Sequence, residues 1–172
     1  MNLDNKKVLI AYFSRRGANY SNGRIVNLVV GNTEVAAKMI EEETNGDLFE
    51  IEADYDYPAD YKECTEVAKH ELSGNVRPNL TDHLKNIEDY DVIFLGYPNW
   101  WGTMPMPVFS FLEEYYFDEK IIMPFCTHEG SGMGHSEKDI KKLCHNAEVK
   151  NGLSIHGSSV KNAKNSIVNW IK

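Results

Sequence analysis

Val30-Gly31-Asn32-Thr33-Glu34 lies between an apolar run and a helical one, and its reading decides the fold. Upstream, Val8-Leu9-Ile10-Ala11-Tyr12-Phe13 reads as a buried strand ending at Ser14. Downstream, Val35, Ala36, Met39 and Ile40 recur at helical spacing, so a helix is expected to begin near Thr33. Thr33 is the expected N-cap, and Gly31 lets the backbone approach a ligand closely. A strand, a polar loop and a helix N-terminus together make an anion site, because free N–H groups and the helix dipole converge there. Ser14, Asn32 and Thr33 add side-chain donors suited to a phosphate monoester. The same stretch also reads as an ordinary capped turn, so the remaining chain has to decide.

Working outward, Leu48-Phe49-Glu50-Ile51-Glu52 alternates apolar with acidic and reads as an edge strand. Tyr61, Cys64, Val67, Ala68 and Leu72 fall on one helical face. Asp91 to Tyr97 has a continuous apolar centre, the pattern of a strand buried on both faces. A helix carrying Val108, Phe109, Leu112 and Tyr116 follows, then a strand over Ile121–Cys126 and a helix with Ile140, Leu143 and Cys144. Gly152 to Ile155 forms a short last strand, and Val160, Ala163, Ile167 and Trp170 mark a closing helix capped by Ser158 or Ser159. Five strands alternating with five helices imply one doubly wound, three-layer α/β domain over residues 1–172, with a five-stranded parallel sheet. Arg15 to Val30 is long for a strand-to-helix loop, and Asn22-Gly23 inside it is a hairpin-turn signal.

In an open parallel sheet, ligands bind at the C-terminal strand ends where the strand order reverses. Three loops there are unusual in composition. The first offers phosphate donors. Pro98-Asn99-Trp100-Trp101-Gly102 offers two tryptophans beside a glycine, suited to stacking on a planar ring. Thr127 to Gly134 is rich in glycine, and over Glu129 to Gly134 it reads either as a plain loop or as one whose glycines let backbone N–H and C=O groups reach a ring edge. A ligand with an anionic tail and a large flat ring would use all three. Cys126, His128 and His135 do not make a recognisable four-ligand set, so no metal is expected.

Composition narrows the partners. The chain has 172 residues, 42% hydrophobic, with a net charge of -8. That charge argues against nucleic acid and anionic membranes and suits a basic docking partner. No apolar run approaches the ~20 residues of a membrane span. The N-terminus leads straight into a strand without a signal-peptide pattern, and three cysteines without C-x-x-C spacing suit a reduced, cytoplasmic setting.

Ala11-Tyr12-Phe13-Ser14, Gly31-Asn32-Thr33, Gly96 to Gly102 and Phe125 to Gly132 together resemble a flavodoxin, of the bacterial flavodoxin-like kind with a Gly-Asn-Thr phosphate loop. The resemblance runs from about Lys6 to Lys172. It implies the strand order 2-1-3-4-5 and FMN as cofactor; flavodoxin, with FMN where the first and third strands part, is itself an established case of the strand-end rule. Carried over, Ser14, Asn32 and Thr33 would hold the FMN phosphate. Pro98, Asn99, Trp100, Trp101 and Gly102 would line one side of the isoalloxazine, and Thr127, Glu129, Gly130 and Gly132 would approach its other edge. The interruption after Arg16 departs from the compact phosphate loop of many flavodoxins and puts Arg15 and Arg16 in doubt as ligands. The implied function is low-potential electron carriage between a reductase and acceptor proteins. The alternative on the same fold is an NAD(P)H-dependent, FMN-containing reductase of quinones or other small molecules. A magnesium-dependent phospho-receiver is disfavoured, because the first strand ends Tyr12-Phe13-Ser14-Arg15 without an acidic pair.

Overall fold

Successive strand residues face opposite sides of a sheet, and the continuous apolar strands supply two cores at once. In the computed structural model, which describes Met1–Lys172, β1 (Val8–Tyr12) sends Leu9 and Ala11 into one core and Val8, Ile10 and Tyr12 into the other. β5 (Val92–Pro98) divides likewise, with Ile93, Leu95 and Tyr97 opposite Val92 and Phe94. Helices α1 (Asn32–Thr44) and α5 (Lys164–Ile171) cover the second core. α3 (Met106–Glu114) and α4 (Ser136–Leu143) cover the first, with α2 (Tyr61–Ser73) packing against it through Leu72. These are the three layers expected.

The sheet is parallel, in the order β4 (Asp47–Glu50), β1, β5, β6 (Ile121–His128), then an edge shared by β7 (Glu148–Val149) and β8 (Leu153–His156). Counted by position, this is the order 2-1-3-4-5. The sequence reading did not anticipate β7. Proline explains the broken edge: β7 pairs with Ile121 and Ile122, β8 pairs from Phe125 onward, and Pro124 sits opposite the gap. Pro124 has no N–H to donate, and its carbonyl faces Gly152.

Several boundaries differ from expectation. The N-cap of α1 is Gly31, not Thr33, and it makes no side-chain cap bond. Ser14 does the capping instead, its Oγ accepting the Glu34 N–H at 3.1 Å. Tyr116 lies beyond α3 and is 87% exposed, because the helix stops at Glu114 and an extended Tyr115 turns the chain away. α5 starts at Lys164, since Gly157–Asn162 forms a 3-10 turn, and neither Ser158 nor Ser159 caps it.

The long first loop is a separate antiparallel hairpin, β2 (Gly17–Ser21) and β3 (Arg24–Leu28), turned at Asn22-Gly23. Both turn residues have positive φ, 48° and 81°, the type I′ geometry that suits the twist of a hairpin.

Candidate functional site

At the C-terminal ends of β1, β5 and β6, Asn32, Thr33 and Thr127 meet Pro98, Asn99 and Trp100 around a cavity of about 220 Å³. Gly31 makes the polar end possible: a Cβ there would stand 2.1 Å from Ser14 Oγ and 2.7 Å from the Arg15 carbonyl. Close approach brings the end of β1 against the first turn of α1. With Glu34 N–H bonded to Ser14 and Val35 N–H to the Gly31 carbonyl at 3.1 Å, the N–H groups of Asn32 and Thr33 have no acceptor within the protein. Thr33 and Thr127 are both buried, their hydroxyls 2.7 Å apart. Two hydroxyls sharing one bond leave one O–H proton free for a ligand. Free amide donors, the helix dipole and that hydroxyl favour an oxyanion.

The cleft continues into a more apolar cavity of about 280 Å³, walled by Tyr61, Cys64, Ala68, Trp100 and Trp101. Arg15, Asn19, Tyr61, Asn99 and Trp100 line both cavities, so the two form one channel from polar to aromatic. Trp100 is wedged edge-on against Phe13 and Tyr57, both with ring centroids 5.1 Å away. Tyr57 is in turn fixed by donating to the buried carboxylate of Glu71 at 2.8 Å. Trp101 is 47% exposed, and its indole N–H donates to the Thr65 carbonyl at 2.9 Å.

Trp100 to Thr103 is a tight turn, closed by Trp100 N–H to the Thr103 carbonyl at 2.9 Å. Trp101 and Gly102 both have positive φ, 56° and 87°. For a residue as bulky as tryptophan this is a strained geometry, costing roughly 1–3 kcal/mol and concentrated at functional sites. Asn99 locks the turn, accepting the Gly102 N–H at 2.9 Å and donating to the Gly132 carbonyl at 2.8 Å. The Gly102 carbonyl accepts from His135 N–H at 2.8 Å, so the second and third loops act as one unit.

Of the expected residues, Asn32, Thr33, Pro98, Asn99, Trp100, Thr127 and Glu129 line the polar cavity and Trp101 the aromatic one, whereas Ser14, Gly102, Gly130 and Gly132 line neither. Ser14 supports α1 while standing beside Gly31. Glu129 lines the polar cavity, but its carboxylate accepts two backbone N–H groups, from Asn22 at 3.0 Å and Ser158 at 2.6 Å. Gly130 and Gly132 have positive φ and open space around them. Arg16 is directed away from the cleft, its guanidinium bonded to Glu34 at 3.2 Å and Glu50 at 3.3 Å. Arg15 does line the cleft, yet it donates to the carbonyls of Ala18, Pro58 (2.8 Å) and Ala59 (3.2 Å).

Sequence reasoning missed Asn19, Tyr20, Tyr61 and Gly157. Tyr61 had a local signal: Asp60-Tyr61-Lys62-Glu63 reads as a helix start, and Asp60 Oδ1 does cap α2 by accepting the Glu63 N–H at 2.9 Å. Gly157 had none, because its constraint comes from distant chain. A Cβ there would meet Asn32 Nδ2 at 2.5 Å and Glu129 Oε1 at 2.9 Å.

Among the groups walling the aromatic cavity, burial pushes the Cys64 thiol up, against a smaller opposing pull from Arg15. Burial likewise raises the Tyr61 phenol. At the polar end, burial and the neighbouring His156 hold His128 below its ordinary value.

An open α/β sheet with an anion cradle joined to an aromatic channel at its switch point defines a binder of a phosphorylated planar molecule. A family model described as Flavodoxin matches residues 7–172, and the chain belongs to that family. Candidate flavoproteins from Bacteroides uniformis ATCC 8492 and Bacteroides eggerthii DSM 20697 have similar structures, with 28% and 27% identity and TM-scores of 0.74 and 0.73. Each comparison covers 95% of this chain, and 98% and 99% of theirs respectively. A Lactobacillus acidophilus NCFM flavoprotein, solved in complex with FMN, is 22% identical with a TM-score of 0.65, covering 97% of this chain and 99% of its own. No curated protein sequence matches the chain.

Proposed function

We propose that this protein binds FMN and works as a low-potential electron carrier between a reductase and acceptor proteins in the cytoplasm. The observation that carries the reading is the two-ended channel: unbonded N–H groups at the start of α1 and an aromatic wall at the far end. These fit the phosphate and the isoalloxazine of FMN, and the FMN-bound Lactobacillus relative supports the choice. Asn32 and Thr33 would hold the phosphate, with Ser14 fixing the loop they stand on. Trp100 and Trp101 would flank the ring, with Pro98, Asn99 and Gly102 shaping that side. Thr127 would share the phosphate end with Thr33, Glu129 would stand beside that end, and Gly130 and Gly132 would border the other edge of the ring. Bound FMN supplies reversible uptake of electrons.

Carriage between proteins is favoured over reduction of small molecules by the chain's charge. The charge of -8 supports basic protein partners, and three free buried cysteines support a reducing compartment. No helix is long and apolar enough to cross a membrane.

An absorption spectrum of the protein with added FMN, before and after NADPH, tests the reading. Bound-flavin bands that persist with NADPH alone and bleach on adding a flavodoxin reductase are expected. Absence of binding overturns the cofactor assignment; rapid bleaching by NADPH alone overturns the carrier in favour of a reductase.

A further inference from the structure

The hairpin β2–β3 belongs to no other sheet, and a two-stranded ribbon alone is marginal in water. It must be held by what it touches. At its base, Arg15 bonds to Ala18, Pro58 and Ala59, and Arg16 to Glu34 and Glu50. Along its length, Tyr20 stacks on Tyr61 with centroids 6.4 Å apart and planes at 29°. Asn19 stiffens the first strand by donating to the carbonyls of Arg15 at 3.0 Å and Gly17 at 3.1 Å. At the tip, Asn22 N–H to Glu129 Oε2 is the one hydrogen bond between residues 21–24 and the body of the protein.

The body's side of that contact is built. Glu129 is only 13% exposed although it stands in a loop, and its second oxygen is fixed by Ser158 N–H at 2.6 Å. His156 Nδ1 lies 3.7 Å from that oxygen. A side chain at residue 157 would collide with the carboxylate. Between base and tip, Asn19 and Tyr20 form part of the wall of the polar cavity, which Asn32 and Thr33 also line.

We infer that the hairpin is a clasp across the cofactor channel and that Glu129 is its latch, a positioning residue and not a ligand. The inference rests on the FMN reading of the channel for its consequence, but the latch itself is a property of the protein without ligand. Asn19 and Tyr20 close part of the wall of the cavity at the start of α1, so lifting of the tip widens the way out for a phosphate held there. The clasp therefore governs how long the cofactor stays, and Glu129 governs the clasp. A direct ligand role and a latch role differ in one respect: only the latch needs the hairpin.

The test is a cycle of four proteins: the full chain, Glu129→Ala, a variant with residues 17–28 replaced by a short Gly-Ser linker, and the two changes combined. Stopped-flow fluorescence gives the FMN dissociation rate of each. Glu129→Ala should raise that rate about tenfold in the full chain. The linker variant should already be fast, with Glu129→Ala adding less than about twofold to it. Glu129→Gln, which keeps one carbonyl acceptor, should fall between wild type and alanine. An equal effect of Glu129→Ala with and without the hairpin overturns the latch in favour of a direct contact; no effect in the full chain overturns it outright.

Amide exchange on the ligand-free protein supplies a second readout. The Asn22 amide should exchange at least tenfold faster in Glu129→Ala, while Phe94 and Leu95 in β5 keep their protection. Unchanged Asn22 exchange overturns the latch whether or not FMN binds. Failure of the wild type to bind FMN, with Asn22 exchange still accelerated, overturns the cofactor reading and leaves the latch standing.

Discussion

Replacing Thr33 with alanine separates phosphate recognition from ring recognition within one channel. Thr33 is 1% exposed and its hydroxyl stands 2.7 Å from that of Thr127, itself 4% exposed. The two hydroxyls carry two protons and consume one between them, so the pair offers one O–H to an incoming oxyanion. Thr33→Ala removes that donor or obliges Thr127 to supply it alone. A hydrogen bond to a charged group contributes roughly 1.5–3 kcal/mol, so FMN should bind about 10- to 150-fold more weakly. Riboflavin has the same ring and chain without the phosphate, and its affinity should change by less than about twofold. The ligand-free protein should lose about 1 kcal/mol of stability with the hydroxyl pair. Quenching of flavin fluorescence gives both dissociation constants, and urea unfolding gives the stability. Thr33→Ser should restore FMN binding, because it retains the hydroxyl. Equal weakening of both flavins would show that Thr33 acts by shaping the fold, and the assignment of this end to the phosphate would fall.

Gly31→Ala probes the same end by crowding alone, since Gly31 has an ordinary φ of -66° and no backbone strain is introduced. Its Cβ would stand 2.7 Å from a backbone carbonyl, and such overpacking should cost about 1–3 kcal/mol in urea unfolding and weaken FMN more than riboflavin. Trp101→Ala should brighten bound flavin, because Trp101 is a ring of the aromatic wall, held by its bond to Thr65 and by Lys69 Nζ 5.3 Å from its ring centroid; unchanged emission, with a rise on Trp100→Phe, would assign the quenching to Trp100. Burial alone would raise Glu34, but hydrogen bonds from Lys38 and Arg16 outweigh it and hold its carboxyl low. Its stabilising contribution is therefore present above the unfolded value of about 4.3 and lost as pH falls through the folded value; Glu34→Gln should abolish that part of the acid sensitivity in a pH series of urea melts. Glu50 shows the opposite sign: burial, then Glu52, raises its carboxyl, so its charged form weakens the fold as pH rises. Glu50→Gln should stabilise the protein at pH 7, with the gain vanishing at low pH.

What could be read from the sequence was set by how far apart the interacting residues lie. β1 and β5 are apolar at every position because both sheet faces are covered, and that signal is complete within one strand. The Asn22-Gly23 turn is equally local. Where α1 begins was clear to within two residues, but not what caps it, since the cap comes from Ser14 across the whole inserted hairpin. Pro124 was visible, yet its effect falls on the neighbouring edge strand, which divides opposite it into β7 and β8.

The site follows the same rule more sharply. Trp100 and Trp101 could be placed in the ring loop, but adjacent tryptophans are alike in sequence and unlike in space: one is wedged between Phe13 and Tyr57, the other tied to Thr65 on α2. Glu129 stands among glycines at a strand end, the position from which a ligand role was expected, and it lines the polar cavity. Its partners are 107 residues before it and 29 after it in the chain. A carboxylate beside a phosphate site would repel the ligand if its charge were free. Two backbone N–H donors both orient that charge and offset it, which is why an acidic residue can stand at the mouth of an anion cradle. The hairpin that interrupts the phosphate loop supplies one of those two donors from its tip, through Asn22 N–H, and the body supplies the other through Ser158 N–H.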